Sequence, residues 1–140
     1  MSDPLYRKEL LRLAADAHGA GRLDAPDAAG DAFNPACGDK VHVELKLQGG
    51  RIAGIAHDTR ACVLAQASAS ILGQALTGAS EAQVAALANE IASMLIEKAA
   101  APAPPFDAYA VFEGATQHRN RHRCVLLPIE AVLAAFANAT

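Results

Sequence analysis

The chain has 140 residues, of which 52% are hydrophobic and 19% charged, with a net charge of −3. This length suits one domain with a core of its own, and the balance excludes a disordered chain and a general nucleic-acid binder. No apolar run reaches the ~18 residues of a membrane span, and Met1-Ser2-Asp3-Pro4 has no basic, secretory character, so a cytoplasmic protein with reduced thiols and no membrane partner is expected.

Leu5 to Ala17 reads as a first helix, with Tyr6, Leu10, Leu13 and Ala17 on one stripe. Gly19 to Ala32 is a polar, Gly- and Ala-rich connection with no core pattern. Val41, Val43, Leu45 and Leu47 then alternate with His42, Glu44, Lys46 and Gln48, the pattern of a strand with one buried and one wet face. Gly49-Gly50 supplies a hairpin turn, and Arg51 to His57 returns as the partner strand. Helical pattern runs from Cys62 to Leu76, where Thr77-Gly78 stops it. Ser80 and Gln83 form a capping pair ahead of a longer helix, whose face is Val84, Leu87, Ile91, Met94, Leu95 and Lys98. Ala99 to Pro105 breaks the chain, and Phe106 to Gly114 is a short helical segment. A last helix starts near Cys124 or Pro128, Pro128 being suited to a first turn, and buries Val125, Ile129, Val132, Leu133 and Phe136. The expected class is α+β, a small antiparallel sheet of about three strands packed against several helices.

Each of the three cysteines stands in its own punctuated setting. Cys37 lies in Asn34-Pro35-Ala36-Cys37-Gly38-Asp39, where Pro35 fixes φ, Gly38 frees the backbone, and Asp39 is placed to fold back toward the thiol. Cys62 follows Asp58-Thr59-Arg60, and Cys124 follows the basic tract Arg119 to Arg123. The hairpin puts Cys37 and Cys62 at the same end of the sheet. Helix starts at Cys62 and Cys124, with Arg60, Arg121 and Arg123 nearby, would favour their thiolates. Three thiols and a carboxylate supply the four donors of a tetrahedral metal site or an iron–sulfur corner. An isolated cysteine, by contrast, is ordinarily an inert buried hydrophobe.

The Asn34–Asp39 motif, the hairpin, Cys62 ahead of Ala67-Ser68-Ala69-Ser70, and Arg121-His122-Arg123-Cys124 before Leu127-Pro128 resemble the iron–sulfur cluster assembly scaffold family. That family comprises IscU, the N-terminal domain of NifU, and SufU. Leu5-Tyr6-Arg7 resembles the start of its first helix. The chain is most similar to SufU-type members, through the long interval from Cys62 to Cys124 and through Arg123 where IscU-type members place a histidine. The Leu-Pro-Pro-Val-Lys segment that IscU-type proteins offer to a dedicated chaperone is replaced by Gln117 to Arg123, so that chaperone is not an expected partner. The chain differs from the family pattern at Ala61, where a glycine is usual, in Ala56 to Arg60, and in Ala15 to Ala25.

The resemblance implies a single NifU-N/SufU-like domain over residues 1–140 with a SufE/NifU-like fold. It implies Cys37, Asp39, Cys62 and Cys124 as metal ligands, Zn²⁺ as the ion held on purification, and a transient iron–sulfur cluster on Cys37, Cys62 and Cys124. The implied partners are a PLP-dependent, SufS-like cysteine desulfurase and a downstream scaffold or apo iron–sulfur proteins, with no nucleic acid. The implied role is sulfur acceptor or scaffold, stimulating a desulfurase without being an enzyme itself. Cys124 is the expected sulfur acceptor, because arginines flank it and it follows the Pro-broken insertion. His122 is an alternative ligand to Asp39, with a solvated loop residue as its plain reading; His57 is expected exposed at a strand end. Two other classes fit less well. A structural zinc domain would more commonly use Cys₄, Cys₃His or Cys₂His₂, and a Cys-dependent hydrolase with His57 or His122 as base has no oxyanion motif.

Overall fold

The computed structural model describes residues 8–117 and 119–139. Among these, α1 spans Lys8–Asp16, β1 Ala28–Asn34, β2 Asp39–Gln48, β3 Arg51–Arg60, α2 Val63–Ala75, α3 Glu81–Glu97 and α4 Arg119–Asn138, with a 3₁₀ helix at Asp107–Gln117 before α4. The strands form one antiparallel sheet in the order β1-β2-β3. The expected α+β class is the observed one. The Leu5-Tyr6-Arg7 segment of the expected first helix lies outside the described residues.

The β2–β3 hairpin is the one its alternation demanded. Val41, Val43 and Leu45 are buried, and Gly49 and Gly50 turn the chain at φ of 61° and 78°. A register shift at Lys46/Leu47 then twists the pair. One residue breaks the alternation: Glu44, expected on the wet face, is buried. Its carboxylate accepts from the Leu23 N–H at 2.9 Å and from Arg22 at 3.1 Å, and it meets His42 Nε2 at 3.1 Å. The loop over that face, from the end of α1 to β1, therefore covers what the pattern left open.

That loop also ends in the strand the pattern hid. Ala28 to Ala32 fall in the connection expected to have no core pattern, yet Ala28–Asn34 pairs with β2 from Ala28↔Leu45 to Asn34↔Asp39. The reason is size. Its inward face is Ala28 and Gly30, and a Cβ at Gly30 would collide with the backbone of Ala131 and Ala135 on α4. Helix and strand approach too closely for the β-branched residues that normally announce a strand.

The helices cover one face of the sheet. Ser80 caps α3, its Oγ accepting from Gln83 N–H at 3.3 Å while Gln83 Oε1 accepts from Ser80 N–H at 2.9 Å. Val84, Leu87, Ile91, Met94 and Leu95 of the expected face are buried, each contributing about 1.5–3 kcal/mol, whereas Lys98, expected on the same face, is exposed. Lys98 ends it in the left-handed region at φ 58°. Tyr109 and Phe112 of the 3₁₀ helix are fully buried, their ring centroids 5.5 Å apart. Helix α4 runs against β1, β2, α2 and α3. It begins at Arg119, earlier than the expected start at Cys124 or Pro128. The basic tract is thus helical, and Pro128 lies in the helix interior, where it gives no N–H to the carbonyl of Cys124.

Candidate metal centre

Three chain segments converge at one end of the sheet. In the β1–β2 turn, the Asn34 carbonyl accepts from the N–H groups of Cys37 at 3.3 Å and Gly38 at 2.8 Å, and Asn34 Oδ1 accepts from Ala36 N–H at 3.2 Å. Gly38 closes the turn at φ 77°, a conformation that a side chain would strain. Cys37 is thereby held exposed at the tip. Asp39, the first residue of β2, turns inward and is 6% exposed. Cys62 follows β3 as the N-cap of α2, half-buried, and its backbone N–H donates to Asp39 Oδ1 at 3.3 Å. Cys124 projects from α4 and is 2% exposed.

The donor atoms of Cys37, Asp39 and Cys124 all lie within 4.8 Å of one another. Cys62 is beside them, its thiol meeting those of Cys124 and the Asp39 carboxylate, but outside that mutual distance. His122 is not in the group; two residues from Cys124 on the same helix, it leaves the axis about 200° away. The solvated-loop reading of His122 gives way to a place on α4.

Asp39 Oδ2 is buried with no hydrogen-bond partner, alone in this among the described residues. An unsatisfied buried carboxylate oxygen costs about 1–3 kcal/mol or more. A cation among these donors would remove that cost, so the residues fit one. Burial pushes the Cys62 thiol up from its usual range, and the Asp39 charge adds to this. It pushes Cys124 up further, with the negative charges of Cys62, Cys37 and Asp39 adding to burial. The thiols of Cys62 and Cys124 therefore resist ionisation unless a counter-charge joins them.

This corrects the expectation that helix starts and arginines activate the thiols. Cys62 does cap a helix, but Cys124 lies well inside one. Arg60 faces Asp58 at 3.5 Å and Arg123 faces Glu130 at 3.8 Å, each paired with a carboxylate. His57 is likewise not exposed: it is 4% accessible. Its Nε2 lies 2.8 Å from the His18 carbonyl, an acceptor only, so Nε2 carries the proton and Nδ1 accepts from Thr59 Oγ at 2.8 Å. Burial holds its pKa down. With both ring nitrogens engaged, His57 has no lone pair to offer as a base.

His42, expected on the wet face of its strand, has its Nδ1 2.8 Å from Asp31 on β1. Only the β1–β2 register brings that pair together.

Residues 5–124 match a family described as the NifU-like N-terminal domain. The chain is 27% identical over 90 residues to the iron–sulfur cluster assembly scaffold protein IscU of Thermotoga maritima, a match covering 64% of this chain and 63% of that protein. It is 30% identical over 76 residues to the zinc-dependent sulfurtransferase SufU of Bacillus subtilis, covering 54% and 51%. The chain thus matches between half and two thirds of the length of these relatives. The solved N-terminal NifU-like protein of Brucella abortus aligns with a TM-score of 0.92 at 31% identity, over 98% of this chain and 95% of that one.

Proposed function

The chain belongs to the NifU-like N-terminal domain family, and on that premise we propose that it is an iron–sulfur cluster assembly protein of the SufU/IscU kind, one domain over residues 1–140, not itself an enzyme. Its cargo is sulfur received from a PLP-dependent, SufS-like cysteine desulfurase. Cys37, Asp39, Cys62 and Cys124 hold Zn²⁺ at rest and iron with sulfide during assembly, and the product passes to a downstream scaffold or apo iron–sulfur proteins. The observation that carries this reading is the buried, unpartnered Oδ2 of Asp39 within reach of the Cys37 and Cys124 thiols.

A bound divalent ion supplies positive charge that lets the thiols stand as thiolates at neutral pH. The residues do the rest. The Asn34 turn presents Cys37 to solvent, Asp39 offers one hard oxygen among soft sulfurs, and the Cys62 N–H steers that carboxylate. In sulfur transfer, the Cys124 thiolate attacks the outer sulfur of the desulfurase persulfide. A new S–S bond forms to Cys124, the donor's S–S bond breaks, and the donor cysteine leaves as a thiolate. Because Cys124 is buried, the α4 segment bearing it shifts toward the surface as the partner docks.

The experiment is metal analysis of anaerobically purified protein, followed by reconstitution with iron and sulfide. One zinc or iron per chain, lost in Cys37→Ala, is the expected result. Full metal retention in that variant would overturn the ligand set.

A further inference from the structure

Behind the metal centre lies a buried polar chain whose members bind no metal. Ser68 on α2 is fully buried, and its Oγ lies 2.7 Å from the carbonyl of Val125, the residue after Cys124. Tyr109 of the 3₁₀ helix is also fully buried, with its hydroxyl 2.8 Å from Ser68 Oγ and 3.4 Å from the Ser68 carbonyl. The proton directions follow from what each atom can do. Val125 O only accepts, so the single Ser68 hydroxyl proton points there, and Tyr109 donates to Ser68 Oγ.

This chain meets α4 at its weakest point. Pro128 has no N–H, so the carbonyl of Cys124 loses its intrahelical partner at the residue that carries the thiol. The neighbouring carbonyl, Val125 O, is held from outside the helix by Ser68. A buried hydroxyl pair on two other elements, where α4's own ladder is interrupted, is more than apolar packing requires.

We propose that Ser68 and Tyr109 are positioning residues for Cys124, a latch that holds the broken turn of α4 so that the Cys124 thiol stays in the donor group. The inference rests on the reading of Cys124 as a ligand and sulfur acceptor. It ties the segment between α3 and α4, through Tyr109, to the reactivity of a thiol borne on a different element.

The test is the rate at which iodoacetamide alkylates each cysteine in metal-free, reduced protein, read by peptide mass spectrometry. Ser68→Ala is expected to speed Cys124 about three- to tenfold and leave Cys37 unchanged. Tyr109→Phe is expected to speed Cys124 less, and to add nothing in the Ser68→Ala background. Ser70→Ala is the control. It is equally buried on the same helix, but its Oγ accepts from His18 N–H at 3.0 Å, toward the end of α1 and not toward the carbonyl of Val125. Equal acceleration in Ser70→Ala, or none in the two latch variants, overturns the proposal. If Ser68→Ala does not fold, Tyr109→Phe, which deletes one oxygen, decides it. A parallel Co²⁺ titration keeps the two readings apart. Absent thiolate-to-cobalt absorption in the unaltered protein would sink the metal centre, while the alkylation rates would still judge the latch.

Discussion

Asp39 Oδ1 accepts the backbone N–H of Cys62 at 3.3 Å, so the carboxylate that opens β2 also fixes the residue that caps α2. One oxygen of Asp39 is thus spent on architecture and the other is left for chemistry. Replacing this residue should therefore weaken metal binding while leaving the stability of the metal-free protein nearly unchanged.

Asp39→Ala is expected to lose at least about tenfold in zinc affinity, measured by chelator competition. The metal-free form should keep its melting temperature or gain slightly. It loses one hydrogen bond to a charged group but also sheds an unsatisfied buried oxygen, and the two nearly cancel, to within about 1 kcal/mol. A metal-free form destabilised by more than twice that amount would show that Oδ2 has a partner after all.

Metal removal should leave the fold standing. Val41, Val43, Leu45, Val84, Leu87 and Ile91 are core residues and none is a proposed ligand; of the four proposed ligands, Cys124 lies in the core and Cys62 packs against it. The far-UV circular dichroism of chelated protein is expected to match that of the loaded form, with protection from hydrogen exchange lost only around Cys37 and the first turns of α4. Loss of most helical signal would instead mark the site as a structural zinc domain.

With a cognate desulfurase and cysteine, persulfide is expected on Cys124, and Cys124→Ser should abolish stimulation of the desulfurase while Cys37→Ser keeps part of it. The competing outcome is concrete. Cys37 is exposed and Cys124 is buried. Persulfide confined to Cys37 would move the acceptor to the turn and leave Cys124 a ligand alone.

His42 gives the stability a pH dependence of known sign. Its hydrogen bond to Asp31 raises its pKa, against partial desolvation, with Glu44 adding to the rise and Arg22 opposing it. A raised histidine stabilises the fold below its unfolded value of about 6.5, and that contribution fades as pH rises through the folded value. His42→Asn should thus be less stable than the unaltered protein by on the order of 1 kcal/mol near pH 6, and nearly equal to it at alkaline pH. Urea denaturation across that range tests this; a gap that widens with pH would reverse the assignment. His57 works in the other direction, since its lowered pKa makes its contribution fade as pH falls below about 6.5. The difference between His42→Asn and its parent cancels that term.

The local structure around Cys37 and Cys62 was legible because punctuation marks it. Pro35 and Gly38 around Cys37, and the polar break before Cys62, forecast a turn and a helix start, and both are present. The hairpin and α3 were equally plain, each having the period of its element. What stayed hidden was hidden by contact. Ala28 and Gly30 carry no strand signal because α4 leaves room for nothing larger. Glu44 looked wet because the loop that buries it comes from a distant part of the chain. The early start of α4 was masked by arginines that suit an exposed helical turn as well as a loop.

The broken turn of α4 also bears on the order in which the molecule is made. Cys37, Asp39 and Cys62 come together through a local hairpin, which closes early and at small entropic cost. Cys124 joins them only when a distant helix lies across β1 and β2, a closure over most of the chain's length. With the ligands proposed above, a chain whose α4 has not yet docked would hold an incomplete set of donors and grip a metal ion weakly. On the proposed ligand set, tight capture of an ion would require α4 to be docked on the sheet.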